Sequence, residues 1–159
     1  MFLNRFDGYA IGGSLGSNRD ELKDLLSWMM PLFHQKEDRI KNKPRHLLGI
    51  ADEINIRNAV PTGIDTMDSC YPTRLSRHGT LLTKQGKIHI NQGRYKNSFH
   101  QPIDDECQCS TCQQYDRAYL HHLYKASEPL AMMLGSIHNI HFMNQMMKEI
   151  RDDIMNNNI

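Results

Sequence analysis

The sequence contains no long hydrophobic run. No apolar stretch approaches the ~20 residues that a membrane-spanning helix needs. The opening segment, MFLNRFDGYA, has no apolar core of the kind found in secretory signals. We therefore expect a cytoplasmic protein with no membrane partner. Only four of the 159 residues are cysteine, and in an intracellular protein cysteines favour metal binding or catalysis over disulfides.

Acidic residues are missing from one long stretch of the chain. No Asp or Glu occurs between Ser69 and Ile103, although the formal net charge of the whole chain is only +1. A basic surface suits the phosphate backbone of nucleic acids, because each Lys or Arg contact releases condensed counterions. A solvated loop and hairpin is the alternative explanation. The basic residues of this stretch are Arg74, Arg77, Lys84, Lys87, Arg94 and Lys96, accompanied by three histidines.

The first seventy residues alternate between predicted strands and predicted helices. The apolar runs YAIGG, HLLGI and GIDTMDS predict strands at 9–13, 46–50 and 63–69. This alternation is typical of a parallel α/β sheet. Three strands cannot close a barrel and leave open edges, so the chain looks like part of something larger.

Capping residues mark the two helices between these strands. Asn18, with Glu21 three residues later, predicts the start of a helix that ends near Pro31. Residues 36–45 are charged and are expected to form a loop. The second helix is expected at 52–60, with Asp52 near its N-cap.

The second half of the chain is predicted to be a hairpin followed by helices. Alternating runs on either side of a Gln-Gly pair predict the hairpin within 79–95. Helices are expected at about 115–126 and about 128–155. The last helix has a broad apolar face, formed by Leu130, Leu134, Ile137, Met143, Met147, Ile150 and Ile154.

Three cysteines lie close together in ECQCSTCQQY. Cys107, Cys109 and Cys112 have the spacing C-x-C-x2-C, in which a disulfide would close a strained small ring or leave one thiol over. Three thiolates on one zinc ion fit better, because zinc accepts Cys sulfur and His nitrogen tetrahedrally. Of the downstream histidines, His121 and His122 follow too soon after the cysteines. The spacing leaves His138 and His141 as equal candidates for the fourth ligand. The remaining cysteine, Cys70, is expected to be a small buried residue.

A carboxylate ends the third predicted strand. Side chains alternate along a strand, so Asp65 and Asp68 are expected on opposite sides of it. Asp68 is at the carboxyl end, where α/β barrels build their catalytic sites, and Arg74 and Arg77 follow it. The group is either an ion-pair cluster or a nucleophile or base beside an anion-binding loop.

Five segments of the sequence resemble one family in the same order: GYAIGG, PRHLLGI, GIDTMDSCYPTR, CQCSTC and RAYLHHL followed by HN. This family is the tRNA-guanine transglycosylases, or queuine tRNA-ribosyltransferases, and the resemblance runs from about Phe6 to Asp153. It implies an α/β fold: the C-terminal part of a (β/α)8 TIM barrel with an inserted zinc-binding subdomain. The implied parts are three strand–helix units at 1–80, the zinc subdomain at 81–126 and a closing helix at 127–159.

The resemblance also implies roles for individual residues. Asp68 matches the nucleophile that attacks the ribose of the wobble guanosine and forms a covalent RNA–enzyme ester. Gly13 and Leu48 match residues that contact the base. Cys107, Cys109, Cys112 and His138 match the ligands of one structural Zn2+. The matching RNA-contacting segments are Gly49, Ile50, Ala51, Asp52, Glu53, Ile54 and Asn55, and then Thr73, Arg74, Leu75, Ser76 and Arg77.

The implied partners are tRNA with a wobble guanine and a deazaguanine base, queuine or preQ1. Gly16 stands where bacterial members usually have Val, and the smaller residue favours queuine. Tyr115, Tyr119 and His122 match an aromatic dimer contact, so the resemblance implies a homodimer or a complex with an N-terminal half. The acid/base Asp and the base-reading residues of the family belong to that half.

Two other functions fit parts of the sequence. A non-catalytic subunit would bind tRNA or a catalytic partner, but it need not keep a carboxylate at Asp68. A zinc-stabilised RNA-binding module would explain the basic stretch and the cysteines but not the barrel-like strands. Archaeal relatives that act elsewhere in tRNA fit less well, because their additional RNA-binding domain has no match here.

Overall fold

The computed structural model describes residues 6–13, 19–34 and 42–159. The chain forms two compact units, Met1–Tyr71 and Pro72–Ile159, which we call unit 1 and unit 2. Among the described residues, no helix has the length and apolar character to cross a membrane. The three-part division expected from the sequence stays a prediction.

Unit 1 is built on a three-stranded parallel sheet, which confirms the predicted α/β organisation. The strands are β1 (Tyr9–Ile11), β2 (Arg45–Leu47) and β3 (Thr66–Met67), in the spatial order β1-β2-β3. All three are shorter than predicted. After β1 and β2 the chain turns through Gly13 and Gly49, whose φ angles of 96° and 74° favour glycine. The closed barrel expected from the resemblance stays a prediction.

Within the described residues of unit 1, two helices cover this sheet. They are α1 (Arg19–His34) and α2 (Glu53–Ala59), followed by a 3-10 turn at Val60–Thr62. Asp52 caps α2 as predicted, because its Oδ1 accepts hydrogen bonds from the backbone N–H groups of Ile54 and Asn55. The predicted cap Asn18 lies outside the described residues, as do residues 36–41 of the predicted loop. Arg45, the last residue of that loop, belongs to β2 instead.

Pro31 does not end α1, so this prediction is wrong. The helix includes Pro31 and continues to His34. Phe33, beyond the proline, packs against the apolar core of unit 1, and this contact favours the additional turn. The core is formed by Ile11, Leu22, Leu26, Met30, Leu47, Ala59 and Ile64.

Unit 2 combines a β-hairpin with four helices. The predicted hairpin is confirmed as β4 (Thr80–Thr83) and β5 (Gly86–His89), an antiparallel pair joined by Lys84 and Gln85. Helix α3 (Tyr71–Arg77) begins at the boundary between the units. A 3-10 turn at Gly93–Tyr95 follows the hairpin, and then come α4 (Ser110–Gln114), α5 (Arg117–Lys125) and α6 (Pro129–Met155).

The buried face of α6 differs from the predicted apolar face. Leu134, Met143 and Ile150 are buried as expected, but Ile137 and Ile154 are 38% and 46% exposed. Polar residues take part of the buried face because they have partners inside unit 2. The buried residues of the helix are Ala131, Leu134, Gly135, His138, Asn139, Met143, Met146 and Ile150.

Candidate metal centre and strand-end carboxylate

The three clustered cysteines converge on one histidine. The Nδ1 atom of His138 lies 3.6, 3.5 and 3.3 Å from the Sγ atoms of Cys107, Cys109 and Cys112. All four ligand atoms lie within 4.8 Å of one another. The two candidates that spacing could not separate are thus resolved in favour of His138. The arrangement is a Cys3His group that can hold a metal ion.

A second hydrogen bond orients the His138 ring. Nε2 lies 2.7 Å from the carbonyl oxygen of Leu82, so Nε2 carries the proton that is donated to this oxygen. In the neutral form of the ring, the form that binds metals, the lone pair is then on Nδ1, which faces the three sulfur atoms. Metal-binding histidines usually have such an outer partner, which fixes both the tautomer and the ring plane. His138 is fully buried, so the orientation is also held by packing.

The sulfur atoms differ in their affinity for protons. A hydrogen bond from Cys112 lowers the pKa of Cys109 to about 3, although burial opposes this shift. The same bond and burial raise the pKa of Cys112. Burial by itself lowers the pKa of His138, but hydrogen bonds to Cys107 and Cys109 outweigh it and raise the pKa to about 9. The lowered pKa of Cys109 favours its thiolate, the form of cysteine that binds metals.

His138 and its neighbour Asn139 hold the free edge of β4. In the hairpin register, Leu82 is paired with Lys87 in a position whose backbone groups point away from β5. The carbonyl of Leu82 accepts from His138, and its N–H donates to Oδ1 of Asn139 at 2.9 Å. Asn139 Nδ2 donates to the carbonyl oxygens of Thr80 and Pro72, both at 3.0 Å. The metal-binding group is thereby connected to the hairpin.

Other predictions about cysteine and histidine have mixed outcomes. Cys70 is exposed rather than buried, because it follows the very short β3 outside the apolar core. His121 is buried, and its Nδ1 bonds to the carbonyl oxygen of Ile90 at 2.7 Å. His122 is exposed on the same helix, α5. His141, the other candidate ligand, is not part of the Cys3His group.

Asp68 lies directly after β3, at the carboxyl end of the sheet of unit 1. Its Oδ1 accepts a hydrogen bond from the backbone N–H of Gly49 at 3.1 Å and contacts His46 Nε2 at 3.0 Å. The side chain is 60% exposed. The bond from Gly49, followed by the bond from His46, lowers the pKa of Asp68. An accessible carboxylate in its anionic form can act as a nucleophile or a base.

Asp65 has hydrogen-bond partners different from those of Asp68, and its expected position on the opposite side of the strand stays a prediction. Its Oδ2 accepts a hydrogen bond from the backbone N–H of Arg45 at 2.8 Å. The Arg45 guanidinium lies over the Phe33 ring and donates to the carbonyl of Gly63. Asp65 thus joins β2 to the segment before β3, and both aspartates are exposed.

The two residues predicted to contact a base follow β1 and β2 at the same end of the sheet. Leu48 is 46% exposed, and its side chain covers Gly12 so closely that a Cβ there would lie 2.6 Å from Leu48 Cδ1. Gly13, the next residue, would accept a Cβ without contact, but its positive φ disfavours one. Backbone and one apolar side chain therefore form this surface.

The two predicted RNA-contacting segments lie in different elements, one in a loop and the start of a helix, the other within a helix. Residues 49–55 form the loop after β2 and the first turn of α2, in which Ile54 is exposed and Asn55 is buried. Thr73 to Arg77 lie in α3, where Arg74 and Arg77 are exposed. Ser76 is fully buried, and its hydroxyl donates to the carbonyl of Met132 at 2.9 Å. Leu75 is partly buried.

Comparison with models of protein families identifies the family of this chain. Residues 2–159 match the family model described as queuine tRNA-ribosyltransferase. The chain belongs to the queuine tRNA-ribosyltransferase family. This confirms the family that the sequence motifs indicated.

Curated members of the queuine tRNA-ribosyltransferase family agree with this assignment. One from Protochlamydia amoebophila is 47% identical over 149 residues, which is 94% of this chain and 37% of the relative. One from Chlamydia abortus is 46% identical over 97% of this chain and 40% of the relative. One from Fusobacterium nucleatum is 42% identical over 94% of this chain and 38% of the relative. The chain thus spans about two fifths of the length of these relatives.

Two polar residues near Asp68 were not among the site residues predicted from the sequence. His46 and Thr66 are paired neighbours on β2 and β3, and the His46 ring connects Thr66 Oγ1 to Asp68 Oδ1. A signal was present: His46 is a polar residue in a strand whose other predicted members, apart from one glycine, are apolar. In a parallel sheet, adjacent strands bring their carboxyl ends to the same edge, so residues that follow them can meet there.

Proposed function

We propose that this chain carries the nucleophile of a tRNA-guanine transglycosylase. The reaction replaces guanine at the anticodon wobble position of tRNA by queuine or preQ1. The observation that carries the proposal is the accessible Asp68 carboxylate, kept anionic at the carboxyl end of the sheet by Gly49 and His46. Membership of the family supports this assignment.

The proposed reaction has two displacements. The Asp68 carboxylate attacks C1′ of the ribose, the C1′–N9 bond breaks, and its electron pair leaves with guanine, which takes a proton. In the second step the deprotonated deazaguanine base attacks C1′ and expels the carboxylate, which restores Asp68. The acid/base group that handles these protons belongs, by resemblance to the family, to the N-terminal half. This is nucleophilic catalysis like that of a retaining glycosidase, with a base in place of water.

Substrate contacts are proposed for residues of each unit, beginning with those near Asp68 in unit 1. Leu48 supplies an apolar face against which a planar base can pack, and Gly13 leaves the backbone accessible to the edge of that base. Residues 49–55 form an RNA-contacting loop, in which Gly49 also orients the nucleophile. In α3, exposed Arg74 and Arg77 bind phosphate or base edges, whereas buried Ser76 seats the helix in unit 2.

The Cys3His group is proposed to bind one structural zinc ion. Zinc–ligand distances of ~2.3 Å to sulfur and ~2.05 Å to nitrogen give an S···N edge of ~3.6 Å in a tetrahedron. The three observed Sγ···Nδ1 distances are 3.3 to 3.6 Å, which fits this edge. Bound there, the ion would join the loop of Cys107 and Cys109 to α6 and stabilise unit 2.

A homodimer, or a complex with an N-terminal half, is proposed through the aromatic surface of α5. The rings of Tyr115 and Tyr119 stack with centroids 5.4 Å apart, and Tyr119 is 40% exposed. A cavity of about 550 Å3 beside them is lined by Phe99, His122 and other residues of unit 2. Exposed aromatic side chains of this kind are enriched at protein interfaces.

The test of the proposed function is a chimera in which this chain replaces the matching segment of the Protochlamydia amoebophila relative. Exchange of labelled guanine into tRNA is measured. Asp68→Asn should reduce exchange by roughly 10³-fold or more, because it removes the nucleophile. Asp65→Asn is the matched control: it keeps an acceptor for Arg45 and should remain within about threefold of the unmutated chimera.

Two outcomes would contradict the proposal. If the folded chimera binds tRNA but exchanges no guanine, the chain is a non-catalytic RNA-binding part. If exchange persists in the Asp68→Asn chimera, Asp68 is not the nucleophile.

A further inference from the structure

His46 lies between Thr66 and the proposed nucleophile, Asp68, in a chain of hydrogen bonds within unit 1. Its Nδ1 lies 2.8 Å from Thr66 Oγ1, and its Nε2 lies 3.0 Å from Asp68 Oδ1. The pairing of His46 with Thr66 in the sheet register sets the first contact, and Asp68 follows two residues after Thr66. The Thr66 hydroxyl can donate to Nδ1, which leaves the proton of the neutral ring on Nε2. Nε2–H then donates to Asp68.

Both hydrogen bonds to Asp68 reach the same carboxylate oxygen. Gly49 N–H and His46 Nε2 contact Oδ1 at 3.1 and 3.0 Å, and within the described residues no hydrogen bond to Oδ2 is found. The side chain is accessible, so Oδ2 is the oxygen that a substrate can reach. We propose that His46 is a positioning residue that, with Gly49, fixes Oδ1 of Asp68 and leaves Oδ2 to attack the ribose; this inference rests on the proposed function.

The same pair of donors acts in the second displacement. Once Oδ2 is esterified to C1′, Oδ1 is the carbonyl oxygen of the ester and keeps both donors. When the incoming base forms its bond to C1′, the Oδ2–C1′ bond breaks and its electron pair returns to the carboxylate. Two N–H groups directed at one oxygen stabilise the charge that develops there. They favour the free carboxylate over the ester, so they accelerate release of the RNA from the protein.

This mechanism predicts that loss of His46 lowers the rate of guanine exchange and raises the amount of covalent RNA–protein adduct. In the chimera described above, His46→Ala should slow guanine exchange by about 10- to 100-fold. The fraction of protein covalently bound to RNA at steady state, seen as a band that survives denaturing electrophoresis, should rise at least about threefold. His46→Gln places an amide donor near the position of Nε2 and should restore both values to within about threefold of the unmutated chimera.

Thr66→Val is a second variant, which tests the contact on the other side of the His46 ring. It preserves the strand and the shape of the side chain but removes the hydroxyl that directs the proton to Nε2. The 15N spectrum of the His46 ring, measured on this chain alone, should show protonated Nε2 in the unmutated protein and a larger share of protonated Nδ1 in Thr66→Val.

The outcomes separate this inference from the proposed function. Absence of exchange in the unmutated chimera contradicts the function, while the 15N spectrum still tests the His46 geometry. If exchange is present and His46→Ala lowers rate and adduct together, His46 is merely structural and the inference is wrong. An Nε2 without a proton in the unmutated chain would also overturn it, because it could not donate to Asp68.

Discussion

His138 and Leu82 are joined by a 2.7 Å hydrogen bond between the ring Nε2 and the carbonyl oxygen. This bond satisfies an outward backbone group of β4 and at the same time directs Nδ1 of His138 to the three cysteines. One side chain thus serves the sheet edge and the metal-binding group. The stability of unit 2 and its metal affinity are therefore expected to change together.

Substitution of His138 should abolish metal binding. His138→Ala removes the fourth ligand and exposes the Leu82 carbonyl to a cavity, so we expect less than ~0.2 zinc per purified chain, against about one for the unmutated protein. Metal content by mass spectrometry and thermal unfolding check this. His141→Ala is the matched control three residues away and should retain the zinc. Equal metal content in both variants would contradict the ligand assignment.

Asn139 should be among the most sensitive positions of unit 2. Its side chain is fully buried and makes three hydrogen bonds, to Leu82, Thr80 and Pro72. Asn139→Leu has a similar volume but leaves three backbone groups unsatisfied, so the free energy of unfolding should fall by about 3 kcal/mol. Urea unfolding measures this change. Asn144→Leu, at an exposed position of α6, should change it by less than about 0.5 kcal/mol.

Gly135 allows α6 to approach Ser76 and Tyr124. A Cβ at this position would lie 2.3 Å from Tyr124 Oη and 2.6 Å from Ser76 Oγ. Both oxygens belong to a hydrogen-bonded pair, so they cannot move without cost. Although Ala favours helices by about 1 kcal/mol, Gly135→Ala should lower the free energy of unfolding by about 1–3 kcal/mol.

A double substitution separates the clash from other effects of Gly135→Ala. Tyr124→Phe removes one of the two oxygens that the added methyl group meets, so the loss caused by Gly135→Ala should be smaller in the Tyr124→Phe background. Urea unfolding of the four proteins gives the coupling energy. Additive losses would show that the Tyr124 hydroxyl does not cause the strain.

The exposed arginines of α3 should contribute to RNA binding through phosphate charge. Arg74→Ala and Arg77→Ala should each reduce the slope of log affinity against log salt by about 0.7 to 0.9 if the side chain neutralises one phosphate. Fluorescence anisotropy with an anticodon stem-loop RNA measures this slope. Arg151, exposed on α6, supplies the control substitution Arg151→Ala. An equal loss of slope in all three variants would indicate nonspecific attraction.

The sequence predicted features that depend on local spacing. Asp52 could be identified as a cap because capping acts within three residues, and the parallel strands followed from short apolar runs. The cysteine triplet was equally local. The family resemblance, and not the spacing, singled out His138 before the geometry did.

Features that depend on tertiary contacts could not be predicted. The burial of Asn139 requires the free edge of β4, which is 57 residues away in the chain. Ile137 fits the apolar pattern of α6 as well as Leu134 does, but polar partners rotate the buried face towards His138 and Asn139. The His46–Asp68 contact likewise needs the register of β2 and β3, which short strands do not reveal.

The lowered pKa of Asp68 predicts its behaviour in acid. Gly49 N–H and then His46 favour the ionised form, so the 13Cγ signal of Asp68 should titrate with a midpoint below 3.8, the ordinary value for Asp. A carboxyl whose pKa is depressed by folding stabilises the folded state above its unfolded pKa, and this contribution is lost as the pH falls through the folded value.

Between pH 5 and pH 8 Asp68 should therefore remain a carboxylate. If the rate of guanine exchange falls towards acidic pH within this range, the acid limb of the pH profile must come from the titration of another group. An NMR titration of the folded chain checks the midpoint, and the exchange rate of the chimera checks the limb. His46→Ala should raise the midpoint only part of the way to 3.8, because the Gly49 bond remains. A midpoint above 3.8 in the unmutated chain would contradict the hydrogen-bonded geometry and, with it, the assignment of Oδ2 as the attacking oxygen.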